Sequence, residues 1–268
     1  MVAVLVTELR PDLLLPAAFV TLILVEVLGF WVGRRIGARH VEDTTPALTT
    51  ALAAIFSIVA LVLSFSFSFS LSRFEQRRNL VVREANAIGT AYLRSSVLQP
   101  REAGQYRDLL REYIATRIDY YVHDTDPGVQ QRDETESSTL QAGLWAIVSQ
   151  ALHVDRHDLG ASLLMQVTND VIDISGEQRA ELAFRFGGNA LIFILFVTAA
   201  GALALGLAFG YGNLRSWFIA VLFVVILTWL SFSIVDLQTP QTGFARVNLS
   251  PLYVQQQSMA QALQDPPK

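Results

Sequence analysis

The stretch Leu61-Val62-Leu63-Ser64-Phe65-Ser66-Phe67-Ser68-Phe69-Ser70-Leu71-Ser72-Arg73-Phe74-Glu75-Gln76-Arg77-Arg78 carries an apolar segment straight into a charged one. Its Ser/Phe alternation has the period of a strand. It also closes an apolar run longer than roughly 18 residues, and in hydrocarbon every backbone polar group must be satisfied internally, by a helix or a closed barrel. One strand-like tract cannot close a barrel, so the stretch predicts a transmembrane helix. At about 100° per residue, Ile58, Leu61, Phe65 and Phe69 share one face and Phe56, Phe67 and Phe74 the opposite one, with serines between. Arg73, Glu75, Arg77, Arg78, Arg83 and Glu84 then mark the passage from membrane to water.

Composition agrees with that reading. Of 268 residues 52% are hydrophobic and 16% charged, and the apolar residues are gathered into blocks, which defines an integral membrane protein. With no Cys there is no disulfide, thiolate metal site or thiol nucleophile. The net charge of -4 and the single lysine, Lys268, argue against nucleic acid as a partner, for which a basic stripe is expected.

Four spans follow from the apolar blocks: Leu13 to Val32, Leu48 to Phe69, Ala190 to Phe209, and Trp217 to Val235. The first lacks a basic n-region and a small-residue cleavage site, so it is expected to remain as an anchor. Four spans place both termini on one side. Arg10, Arg73, Arg77, Arg78, Arg83, Arg179, Arg185 and Arg246 lie on that side against Arg34, Arg35, Arg39 and Arg215, which predicts that it is cytoplasmic, although the first hairpin alone votes the other way.

The polar region between the second and third spans shows helical and no strand patterning. The helix of the opening stretch is expected to run to about Leu98, where Gln99-Pro100 breaks it and Pro100 opens the next. That next helix sets Tyr106, Leu109, Leu110, Tyr113, Ile114, the Arg117 stem, Ile118 and Tyr121 on one buried face. A stop at Asp124 to Gly128, a polar linker to about Ser138, and apolar runs from Leu140 to Leu152 and Leu159 to Ile174 complete it, with Ser175-Gly176 leading to an amphipathic approach to the membrane. The predicted fold is all-α: a first transmembrane hairpin over 1–71, a helical cytoplasmic region over 72–189, a second hairpin over 190–236 and a tail over 237–268.

The order of apolar helix, Ser-Leu-Ser-Arg73-Phe74-Glu75, and a basic helix with Asn86 and Arg94 resembles the bestrophin family's pore helix and following segment. The chain is more closely similar to bacterial bestrophin-like membrane proteins, through Arg73, Glu75, the run from Arg83 to Tyr92, Asn169 with Asp173, and Asp236 with Gly243. Bestrophins proper match less well, since the paired aromatics after their pore-helix arginine are reduced here to Phe74. The resemblance implies a bacterial inner-membrane protein, a homopentamer in the bilayer, small inorganic anions as cargo, and a pore neck on the second span.

Several side chains are then candidates for function. Leu61, Phe65 and Phe69 would form the neck, and a hydrophobic ring of this kind can gate by dewetting. Arg73, Arg77, Arg78 and Arg83 would form a basic vestibule beneath it, or else an anchor to anionic headgroups. Asp170 and Asp173 interrupt an apolar run and are expected to pair with Arg77 or Arg83. Glu26 stands inside the first span, about 9 Å of helical rise from its end, within snorkelling reach of Arg34 or Arg35; the sharper alternative is an ion pathway. Thr198, Ala202, Gly206 and Gly210 make a small-residue stripe suited to close helix packing. His153 and His157 beside Asp155 and Asp158, and His123 with Asp124 and Asp126, read as mixed-charge helix ends and not as metal sites. No catalytic motif and no cofactor-binding motif appears, so an enzyme reading has nothing specific to stand on, and the function that the resemblance implies is an oligomeric ion channel. The rival is a non-conducting scaffold or sensor whose cytoplasmic helices bind a partner.

Overall fold

The computed structural model describes residues 11–37, 45–122, 127–183, 188–212, 217–238 and 243–264. Among them there are eight α-helices and no strand: α1 Pro11–Gly37, α2 Thr45–Arg94, α3 Pro100–Val122, α4 Pro127–Val154, α5 Leu159–Ala183, α6 Gly188–Tyr211, α7 Trp217–Gln238 and α8 Ser250–Gln264. Four are long and apolar enough to cross a membrane, on α1, α2, α6 and α7. Two compact units result. The first comprises residues 1–74 and 185–245, and the second residues 75–184 and 246–268, so that α2 contributes to both.

In the first unit α1 and α6 run parallel at very short range. Gly29, Gly33 and Gly37 of α1 lie against the backbone of Leu203, Leu207 and Tyr211 in turn, and a methyl added at Gly29 would come 2.5 Å from the Leu203 carbonyl oxygen. Gly206 and Gly210 of α6 press back on the carbonyls of Glu26 and Phe30. Small residues on both helices permit this approach; the α6 stripe is the expected one, and its counterpart is the four-spaced glycine series of α1. The core joins Leu22, Val59, Leu63, Ile194, Val197, Ala202, Val224, Leu227 and Ile234. Its hydroxyls are satisfied internally, Thr198 bonding the Ile194 carbonyl at 2.7 Å and the Ser231 hydroxyl at 3.0 Å. In the last turn of α7, Asp236 accepts the backbone N–H groups of Phe244 and Ala245, each at 2.8 Å.

The same glycine contact overturns the snorkelling expectation for Glu26. That side chain is only 2% exposed, and among the described residues it forms no ion pair with Arg34 or Arg35, both of which face outward. Its turn of α1 is the one onto which Gly206 closes.

The second unit is a helical bundle of the latter part of α2 with α3, α4, α5 and α8. Its core runs through Val81, Ile88, Ala91, Tyr106, Leu110, Tyr113, Ile114, Leu144, Val148, Leu164, Val171, Leu252 and Met259. The helix break falls as expected: a 3-10 turn over Ser95–Val97 and an extended Leu98 separate α2 from α3. Three expectations are corrected. The polar linker to Ser138 is the first part of α4, because Asp133 and Ser137 turn a buried face toward the bundle. Ser175-Gly176 does not interrupt α5, which continues to Ala183. The C-terminal tail contains α8, whose Leu252 and Met259 are fully buried in this core.

Arg10, Arg39, Arg185 and Arg215, which entered the orientation count, and His123, Asp124 and Asp126 lie outside the described residues. His153 lies in the last turn of α4, and Asp155, His157 and Asp158 sit between α4 and α5, where Asp155 accepts the His157 backbone N–H at 2.9 Å and Asp158 accepts that of Ala161 at 3.0 Å, capping α5.

Candidate functional site

The membrane part of α2 is two-sided. Val59, Leu63 and Ser70 are buried within the first unit, and Gln238 donates to the Ser70 hydroxyl at 2.8 Å. On the other side Leu61, Phe65 and Phe69 are 56%, 68% and 44% exposed, with Ile58 beside them. Phe56 packs edge-on against Phe223 at 5.5 Å and, like Phe67 and Phe74, is only half-buried. The helix thus presents one uninterrupted row of large apolar side chains that its own chain leaves uncovered.

The four arginines that follow in sequence differ in exposure. Arg73 is half-buried, its guanidinium 5.9 Å from the Phe69 ring. Arg77 is buried, while Arg78 and Arg83 are exposed. Helical geometry forces this separation: at about 100° per residue, Arg73, Arg77 and Arg78 fall roughly 80°, 120° and 140° from the centre of the Leu61–Phe65–Phe69 row, and Arg83 alone falls on it.

The expected partners change as well. Arg83 engages Glu177 of α5 at 2.8 Å. Asp173 instead accepts the Asn169 side-chain amide at 2.7 Å, one turn away on its own helix, and Asp170 is exposed. Val171, Ile174, Ser175 and Gln178 are buried, and Asp170, Asp173 and Glu177 share the outward face of α5; Glu177 stands one turn, about 6 Å of rise, beyond Asp173, and it is at that height that Arg83 meets α5.

The buried ion pair of the second unit lies elsewhere. Glu84 of α2, fully buried, accepts from the Arg117 Nε at 2.6 Å, and Arg117 is 2% exposed. Gln178 of α5 donates to the other Glu84 oxygen at 2.8 Å and its own carbonyl oxygen receives a further Arg117 N–H. The Tyr113 hydroxyl reaches Glu84 at 3.3 Å, and Gln141 bridges Tyr113 and Ser175 at 3.2 and 2.7 Å. The Tyr120 and Tyr121 rings flank the guanidinium at 4.6 and 5.4 Å. This network ties α2 to α3, α4 and α5.

Charge behaviour follows from that enclosure. Burial works against the charge on Arg117, but the adjoining Glu84 carboxylate outweighs it and raises the guanidinium pKa above its ordinary value. Burial first, and then the Glu84 charge, raises Tyr113 above the tyrosine range. Burial pushes Tyr106 up to about 12, offset in part by its hydrogen bond with Thr168, whose oxygen is 2.7 Å away. Sequence reading allowed only the Arg117 stem a buried place and missed its acid. An arginine centred on an otherwise apolar helix face was the signal that an opposite charge had to be buried with it.

The family model for the Bestrophin-like domain matches residues 20–252. A search of curated proteins finds no match. Among solved structures, a bacterial bestrophin homologue from Klebsiella pneumoniae carrying a single aspartate-to-alanine mutation is similar with a TM-score of 0.71 at 14% identity, covering 92% of this chain and 98% of that one. A second structure of a Klebsiella pneumoniae bestrophin homologue gives 0.67 at 17% identity, covering 92% and 97%. A variant of such a homologue with one tryptophan changed to alanine gives 0.66 at 16% identity, covering 94% and 97%. At these identities the structural likeness concerns the fold, which is all-α with four membrane-spanning helices. Together with the family match over most of its length, it makes this chain a membrane protein that belongs to the bestrophin-like family.

Proposed function

We propose that this protein is an oligomeric membrane ion channel in which α2 lines the pathway and Leu61, Phe65 and Phe69 form a dry apolar neck. The observation that supports this reading is the two-sidedness of α2. Its uncovered apolar row gives way, on the same helix face, to Ser72, Gln76, Asn79 and Asn86, all exposed. A dry neck that opens into a wet vestibule is lined by this succession of side chains. By the family resemblance the assembly is a homopentamer and small inorganic anions are the cargo. Ser72 to Asn189 and both termini face the cytoplasm of a bacterial inner membrane, and the protein has no enzymatic role.

A non-conducting scaffold would use the same Phe side chains for packing, so truncation separates the two readings. In proteoliposomes, Phe65→Ala with Phe69→Ala should raise chloride flux while leaving the oligomer intact. A stable double variant that stays impermeable to ions would favour the scaffold.

A further inference from the structure

We infer that the Arg83–Glu177 pair, on the stretch of α2 that belongs to the second unit, sets the charge of the wall an ion meets there and thereby the preference between anions and cations; this rests on the channel reading of α2. By helical periodicity the face that carries Leu61, Phe65 and Phe69 continues as Ser72, Gln76, Asn79, Arg83, Asn86 and Thr90, stepping three or four residues each time. Arg83 is the exposed charged residue in that series; Arg94, one turn beyond Thr90, is half-buried and donates to the Leu163 carbonyl at 3.0 Å. Its guanidinium meets the Glu177 carboxylate at 2.8 and 3.5 Å, and the two side chains remain 55% and 49% exposed.

A pair this exposed contributes little to stability. Both members face water, so any ion passing along this face meets them together as a neutral dipole between amides and hydroxyls. The pair is therefore a balanced site whose sign is released by removing either partner: Glu177→Gln leaves an uncompensated guanidinium, and Arg83→Gln leaves an uncompensated carboxylate. One unit charge about 6 Å from an ion in water changes the local concentration of that ion about threefold, in opposite directions for anion and cation. Salt reduces the effect once distances exceed the screening length, about 8 Å at physiological ionic strength.

The test uses the full chain with Phe65→Ala and Phe69→Ala, reconstituted in liposomes, and measures the ratio of chloride to sodium flux at low salt. Adding Glu177→Gln should raise that ratio by up to about ninefold, and adding Arg83→Gln should lower it by a similar factor. The exchanged pair, Arg83→Glu with Glu177→Arg, should restore the starting value, which a general loss of folding would not do. If ions pass and both single variants leave the ratio unchanged, the pathway exists without this pair and the inference alone is overturned. If neither ion passes through a stable oligomer, the channel reading fails and the inference falls with it.

Discussion

Replacing Glu84 by Ala removes the carboxylate from a fully buried pair and leaves the Arg117 guanidinium, itself 2% exposed, without its counter-charge. Three donors lose their acceptor at once: Arg117 Nε, the Gln178 amide and the Tyr113 hydroxyl. Breaking such a pair by deleting one partner costs about 3–5 kcal/mol. For a chain of this size about 2–4 °C of Tm accompanies each kcal/mol, so melting followed by circular dichroism in detergent should fall by roughly 6–20 °C. The paired change Glu84→Leu with Arg117→Met removes both charges and should lose less than either single substitution, because no uncompensated ion remains. A Glu84→Ala protein melting within about 2 °C of the parent would refute the reasoning, since it would mean that Arg117 finds water or another acid without cost.

The second unit should lose stability in alkali. Tyr106 ionises at about 12 in the fold against about 10 unfolded, so the stability its neutral form supports is complete below pH 10 and declines between 10 and 12, by about 1.4 kcal/mol per pH unit. Hydrogen exchange of the bundle amides across that range should show this, and Tyr106→Phe should flatten the slope. Gly206→Leu forces a side chain onto the Glu26 carbonyl and should destabilise the α1–α6 contact by about 1–3 kcal/mol or more, read as a lower melting temperature and loss of monodispersity in detergent. By contrast, Arg83→Gln and Glu177→Gln should each shift stability by less than about 1 kcal/mol, as befits an exposed pair.

The membrane architecture was readable because lipid leaves few alternatives: runs such as Trp217 to Val235 can only be helices, and Pro100 had to open one. The row of Ile58, Leu61, Phe65 and Phe69 was equally legible, since 3.6-residue periodicity fixes which side chains share a face. Partners across the bundle were not. Asp173 and Glu177 share one face of α5, and only the height at which Arg83 meets that helix, which the packing of the whole bundle sets, decides between them. Glu26 failed for a related reason. Snorkelling needs a free path along the helix surface, and the glycine contact with α6 that closes over that turn is a property of two segments distant in the chain. The polar residues of 127–138 suggested a linker because Asp133 and Ser137 look solvent-seeking until the face they share is known to be buried.

The central claim is that Phe65 lines the ion pathway and does not face lipid, so that cutting it to a small polar side chain lets water reach that position. The chain contains no cysteine, so Phe65→Cys introduces a single thiol on a helix already free of background reactivity. Reaction of that thiol in proteoliposomes with a membrane-impermeant, charged thiol reagent should proceed and should alter ion flux, while Trp229→Cys, on the 65% exposed apolar face of α7, should react only with a lipid-soluble reagent. A Phe65→Cys protein that behaves as Trp229→Cys does, inert to the charged reagent and labelled from lipid, would contradict the account.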